Sequence, residues 1–168
     1  NDGDGEIIVA ALYTNNTTPF QNSRLYCFEH TGAQKWESNS SYNVNVTNGS
    51  ACGVGIADFN QDGIPEVYVY NSIFNAQTGV KLVDGGANGI GKHNTYNNVE
   101  PALVVAADLT SNPGLELAAG RTVYNVNITN PYGISGNTMT AINAGFTLGG
   151  SAAPDGFTGV ADIDLDGQ

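Results

Sequence analysis

Positive charge is the scarcest commodity in this chain. Its 168 residues carry 5 Lys plus Arg against 16 Asp plus Glu, a net charge of −11. Neutralising a phosphate backbone takes clustered Lys and Arg, and holding an anionic lipid surface takes the same, so the composition argues against nucleic acid and membrane as partners. Long apolar runs are missing too, since none approaches the roughly 18 residues of a membrane span. No stretch repeats its apolar residues at the 3.6-residue spacing of an amphipathic helix. Cysteine is limited to Cys27 and Cys52, too few for a disulfide scaffold. Both sit in apolar, strand-like runs, which leaves two readings open: buried core thiols or a single disulfide. Histidine is limited to His30 and His93, and neither has a partner at the spacing of a catalytic triad or a zinc site. The chain is therefore expected not to be an enzyme in itself.

What is present is turn chemistry and short strands. Gly, Asn, Thr and Ser alternate with brief β-branched and aromatic runs, the composition of a turn-rich all-β protein. The acids are not scattered. Eleven of the 16, namely Asp2, Asp4, Glu6, Asp58, Asp62, Glu66, Asp108, Glu116, Asp162, Asp164 and Asp166, fall in four short segments. Carboxylates gathered in this way call for a counter-ion.

Those four segments are copies of one loop. Asp58-Phe59-Asn60-Gln61-Asp62-Gly63-Ile64-Pro65-Glu66 returns 50 residues later as Asp108-Leu109-Thr110-Ser111-Asn112-Pro113-Gly114-Leu115-Glu116. It begins again at Asp162-Ile163-Asp164-Leu165-Asp166, and its second half stands at Asp2-Gly3-Asp4-Gly5-Glu6. Ala-Asp precedes each internal copy, and an apolar run of strand length follows the two complete ones. Thr-Gly turns come further along at Thr31-Gly32 and Thr78-Gly79, with a weaker echo over Thr140–Gly145. Each period thus reads strand, acidic loop, strand and hairpin, four short strands per roughly 50 residues, which is the signature of a propeller blade. The expected architecture is an all-β propeller segment of about three four-stranded blades, incomplete at both ends. The first blade would end near residue 48, the next two would occupy 49–99 and 100–154, and another would begin at 155–168. Segments 14–23, 38–50, 85–98 and 125–137 read as inter-strand insertions, in which Tyr42, Tyr96 and Tyr132 are candidate exposed rings for stacking on sugars.

The loop has a chemistry. In Asp58-x-Asn60-x-Asp62-Gly63-Ile64-x-Glu66, alternate side chains bring three oxygen-bearing groups to the inside of a tight turn. Gly63 supplies the permissive backbone, the Ile64 carbonyl turns inward, and Glu66 closes the set. Five oxygen donors completed by water suit calcium, whereas the absence of His and Cys disfavours zinc and copper. The closing acid stands at position nine and strands flank the loop, so it is not an EF-hand. In the copy at 108–116, Thr110 and Asn112 stand at positions three and five and Pro113 replaces the turn glycine, so only Asp108 and Glu116 carry charge. Asp108, Thr110, Asn112 and Glu116 are therefore expected to bind weakly or not at all.

The pattern Ala-Asp-x-Asn-x-Asp-Gly-x-x-Glu followed by a β run resembles the FG-GAP (VCBS-type) repeats of integrin-α-like β-propellers. The Phe-Gly-Gly-Ala-Pro element that names the repeat is absent, which suggests the bacterial secreted branch. The resemblance implies calcium at Asp58, Asn60, Asp62, Ile64 and Glu66. At the partial copies it implies Asp2, Asp4 (through its carbonyl) and Glu6, and Asp162, Asp164 and Asp166. It also implies a secreted or cell-surface protein that serves adhesion or binds a protein or glycan ligand, with further propeller on both sides. The alternative is the propeller portion of a secreted polysaccharide lyase or hydrolase whose catalytic groups lie elsewhere.

Overall fold

The computed structural model describes residues 3–11, 23–44, 53–90, 92–93, 99–100, 103–144, 147–148, 151–152 and 156–164. Every regular element among them is a β-strand. The first antiparallel sheet holds β1 (Ile7–Ala11), β2 (Arg24–Phe28) and β3 (Gln34–Glu37). The second holds β4 (Gly55–Ala57), β5 (Glu66–Val69), β6 (Ser72–Asn75) and β7 (Lys81–Asp84). A two-stranded ladder of β8 (Lys92–His93) and β9 (Val99–Glu100) follows. The third large sheet holds β10 (Val104–Ala107), β11 (Glu116–Ala119), β12 (Thr122–Asn127) and β13 (Thr138–Ala144). A last two-stranded pair, β14 (Thr147–Leu148) and β15 (Ser151–Ala152), lies beyond it.

In each large sheet the strands lie side by side in chain order and alternate in direction. Three such meanders in succession, of three, four and four strands, bear out the all-β architecture expected from the repeat and are compatible with partial propeller blades. The second strand of each complete sheet is its core. All four residues of β5 (Glu-Val-Tyr-Val) and of β11 (Glu-Leu-Ala-Ala) are buried, which explains why these strands read as continuous apolar runs instead of alternating.

Neighbouring sheets are locked by long side chains that reach across. Trp36 Nε1 on β3 donates to the Ala76 carbonyl in the β6–β7 turn at 3.1 Å, with its ring over Gly79, where a Cβ would collide with the indole. Tyr124 on β12 donates to the carbonyls of Asn88 (2.8 Å) and Gly85 (3.2 Å), just beyond β7. The Ala106 amide on β10 donates to the Tyr68 hydroxyl from β5. Phe59, Tyr68, Tyr124 and Trp36 belong to one continuous apolar cluster, so the blades share a core.

Three expectations are corrected. Thr140–Ala144 is not a Thr-Gly hairpin turn but most of strand β13. The turn that precedes it is the loop 128–137, where the Asn137 side chain accepts from the amides of Thr129 and Asn130 and donates to the carbonyls of Asn130, Gly133 and Leu82. Asn125–Asn127, expected at the start of an insertion, complete β12. Tyr42 is not an exposed ring: it is 2% exposed, and its hydroxyl donates to the Ala11 carbonyl. Tyr132 is exposed, and Tyr96 lies outside the described residues. Cys27 is a buried thiol, while Cys52 also lies outside them.

Candidate metal-binding loops

The loop 58–66 joins β4 to β5, between the first two strands of its blade. Its turn is built by its own side chains. The Asp58 carboxylate accepts from the amides of Asp62 (3.0 Å) and Gly63 (2.8 Å), and Asp62 Oδ1 accepts from the Ile64 amide at 2.7 Å. Gly63 adopts φ +86° and Gln61 φ +59°, which reverses the chain sharply and makes glycine the natural occupant of the sixth position. Asn60 donates to Asp62 Oδ2 at 2.9 Å and to the Ile128 carbonyl of the next blade at 3.2 Å.

Glu66, the first residue of β5, is fully buried. Its Oε2 accepts from the Phe59 amide at 2.9 Å, while Oε1 is buried without a hydrogen-bond partner. Among the described residues only Ser23 Oγ and Thr122 Oγ1 share that condition, and both are neutral. Burial pushes the Glu66 carboxyl up to about 7, and repulsion from Asp62 and Asp58 adds to it, against the opposing pull of the Phe59 amide. A lone buried carboxylate oxygen facing other acids has the electrostatics of a cation site. Among the described residues, however, no three His, Cys, Asp or Glu side chains are gathered into a finished metal cluster, and Asp58 is turned onto the loop amides. A carboxylate oxygen that accepts one amide keeps a lone pair for a cation. The donor set, with Asn60 and the Ile64 carbonyl, is all oxygen and fits a hard ion.

The loop 108–116 takes the same place between β10 and β11. Glu116 is fully buried and accepts from the Leu109 amide at 2.9 Å, as Glu66 does from Phe59. Its second oxygen is not orphaned: the Thr110 hydroxyl donates to Oε1 at 2.8 Å and accepts from the Asn112 amide at 3.1 Å. The positive-φ glycine has moved one place along, from the position of Gly63 to Gly114 at φ +89°. The two loops touch there. Leu115 donates its amide to the Phe59 carbonyl at 2.9 Å, and a Cβ on Gly114 would run into that carbonyl.

At the partial copies, Asp2 and Asp166 lie outside the described residues. The structure pairs Glu6 with Lys35 at 2.6 Å, and Lys35 also meets Glu29 at 3.2 Å. Asp4 Oδ2 lies 3.5 Å from His30 Nδ1. Asp162 and Asp164 are exposed. Thus Asp58, Asn60, Asp62, Ile64 and Glu66 share one turn and Asp108, Thr110, Asn112 and Glu116 another, whereas Asp4 and Glu6 each face a basic side chain. The dependence of Glu116 on Thr110 escaped the sequence reading, although the two stand at loop positions three and nine, where Asn60 and Glu66 stand in the other copy.

No curated protein and no solved structure matches this chain. Residues 1–69 match the family model described as an FG-GAP-like repeat. That span runs from the partial acidic segment at residues 2–6, through the first sheet, to the complete loop 58–66 and strand β5. Over that span the chain is similar to an FG-GAP-like repeat.

Proposed function

We propose that this chain is a calcium-stabilised propeller segment of an extracellular protein, in which the loop 58–66 holds the ion. The observation that carries the reading is the Glu66 carboxylate, fully buried with Oε1 unpartnered and with Asp58 and Asp62 beside it. A divalent cation gives that oxygen a partner and turns the repulsion between the acids into attraction. Asp58, Asn60, Asp62, the Ile64 carbonyl and Glu66 would hold the ion, which supplies charge and cross-links the loop; no catalytic role follows. Binding would require small side-chain rotations that draw Asp62 and Glu66 together.

The choice of calcium rests on the all-oxygen donors and on the flexible coordination number calcium accepts. Extracellular modules of this kind bind at ~10⁻⁴–10⁻³ M, a range in which sites fill outside cells and stand empty within them. Among the described residues no helix is long and apolar enough to cross a membrane. Adhesion, or binding of a protein or glycan, is the role that the repeat family suggests for the whole molecule.

The test is thermal unfolding in excess calcium and again in a chelator. Calcium at ten times its dissociation constant should stabilise the fold by about 1.4 kcal/mol, with magnesium less effective. Asp62→Ala should abolish the response, and Asn112→Ala should leave it intact. Superimposable melting curves with and without calcium would reduce the loop to a polar turn.

A further inference from the structure

The three large sheets end on different kinds of outer strand. In β3 (Gln-Lys-Trp-Glu) and β7 (Lys-Leu-Val-Asp), four residues carry two charges each. Short length and charge, lysine above all, are the usual guards of a sheet edge against pairing with another chain. Strand β13 (Thr-Met-Thr-Ala-Ile-Asn-Ala) has neither guard, and its one irregularity is a bulge at Ile142 in the pairing with β12. It is seven residues long, the longest strand described, and uncharged. It lies within residues 122–154, which contain no Asp, Glu, Lys, Arg or His in a chain of net charge −11. One edge of β13 pairs with β12, and no strand among the described residues pairs with the other. Thr138, Thr140, Ala141 and Ile142 are exposed, Ile142 at 46%. Such a row of main-chain donors and acceptors recognises another extended strand.

We propose that β13 is an association edge, and that its occupant is β13 of a second copy, added antiparallel across a two-fold axis at Ala141. Two features favour a second copy. Copies of this acidic chain repel one another nearly everywhere, and this strand brings no carboxylate to the contact. The strand is also compatible with its own reverse: with Ala141 opposite itself, Thr140 falls opposite Ile142 on both sides of the axis, a β-branched pairing that sheets favour. Two four-stranded blades then merge into one eight-stranded sheet. The inner edges offer less length, because β1, β4 and β10 run three to five residues.

Sedimentation equilibrium of the chain in calcium should show mass rising toward twice the monomer with concentration. Thr140→Lys combined with Ile142→Lys should weaken the dimer by a factor on the order of ten or more, by putting like charges at the paired edge. At concentrations where the unsubstituted chain is monomeric, the melting temperature should not change, since both side chains are exposed. Val9→Lys, on the exposed face of β1, should leave the dimer intact. Register is tested by cross-linking in a Cys52→Ser background. Ala141→Cys should give a covalent dimer on oxidation, while Thr138→Cys should not, because six residues separate the two Thr138 positions by about 20 Å. A monomer at every concentration, dissociation by Val9→Lys instead of the β13 lysines, or equal cross-linking at 138 and 141 would each overturn the proposal.

Discussion

The loops 58–66 and 108–116 are the same device finished in two ways. Both have nine residues, both join the first two strands of a blade, and in both a buried glutamate accepts the amide of the loop's second residue at 2.9 Å. They part at the other carboxylate oxygen. At 116 it is closed from within by the Thr110 hydroxyl; at 66 it is left open. A hydroxyl one bond away can thus stand where an ion would otherwise be wanted, and the exchange turns on a single side chain, Asn60 against Thr110. The lesson is that a degenerate copy of a repeat need not be a damaged one.

The comparison breaks most visibly at the glycines. Gly114→Ala should cost on the order of 3 kcal/mol, since it combines positive-φ strain with a backbone collision against Phe59. Gly63→Ala, at similar φ but with open space around it, should cost only about 1–2 kcal/mol. Denaturant unfolding of the two variants in chelator measures the difference, and equal costs would mean that the contact between loops is not tight.

Thr110→Val comes next. It leaves Glu116 Oε1 in the condition of Glu66 Oε1 and should cost about 1–3 kcal/mol in chelator. A loss near zero would show that the hydroxyl is not what satisfies the carboxylate.

The smallest effect is one of pH. The folded-state value of Glu66, about 7, lies above its ordinary 4.5, so the folded chain keeps this proton to higher pH than the unfolded chain does. Without calcium, the contribution of Glu66 is complete below about 4.5 and is lost as pH rises toward 7. Glu66→Gln should flatten that part of the stability profile. A slope unchanged by the substitution would assign it to other groups.

What could be read from the residues was local. The acidic loop declares itself because alternating oxygen donors, a turn glycine and a following apolar run are all neighbours in sequence. The strands β5 and β11 declare themselves because burial on both faces leaves an unbroken apolar stretch. What could not be read depended on distant partners. Gly114 takes the place after Pro113 because the Phe59 carbonyl, in the equivalent loop of the preceding blade, leaves no room for a side chain. The turn before β13 falls at 128–137 because Asn137 gathers carbonyls from both blades. Thr140-Ala141-Ile142 imitates a turn motif without the side chain that builds the turn at 75–79: Asn75, whose Oδ1 accepts from Gln77 and Thr78.

The locks between blades have a consequence for how this chain can vary. Trp36, Asn60, Asn75, Tyr124 and Asn137 all donate to main-chain carbonyls of the neighbouring blade: Ala76, Ile128, Pro131, Gly85 and Asn88, and Leu82. A carbonyl is present whatever side chain its residue carries. Each lock is therefore one-sided in heredity, intolerant of substitution at the donor and largely indifferent to it at the acceptor, apart from glycines held by close packing. Neighbouring blades can drift apart in sequence while the joint between them stays the same.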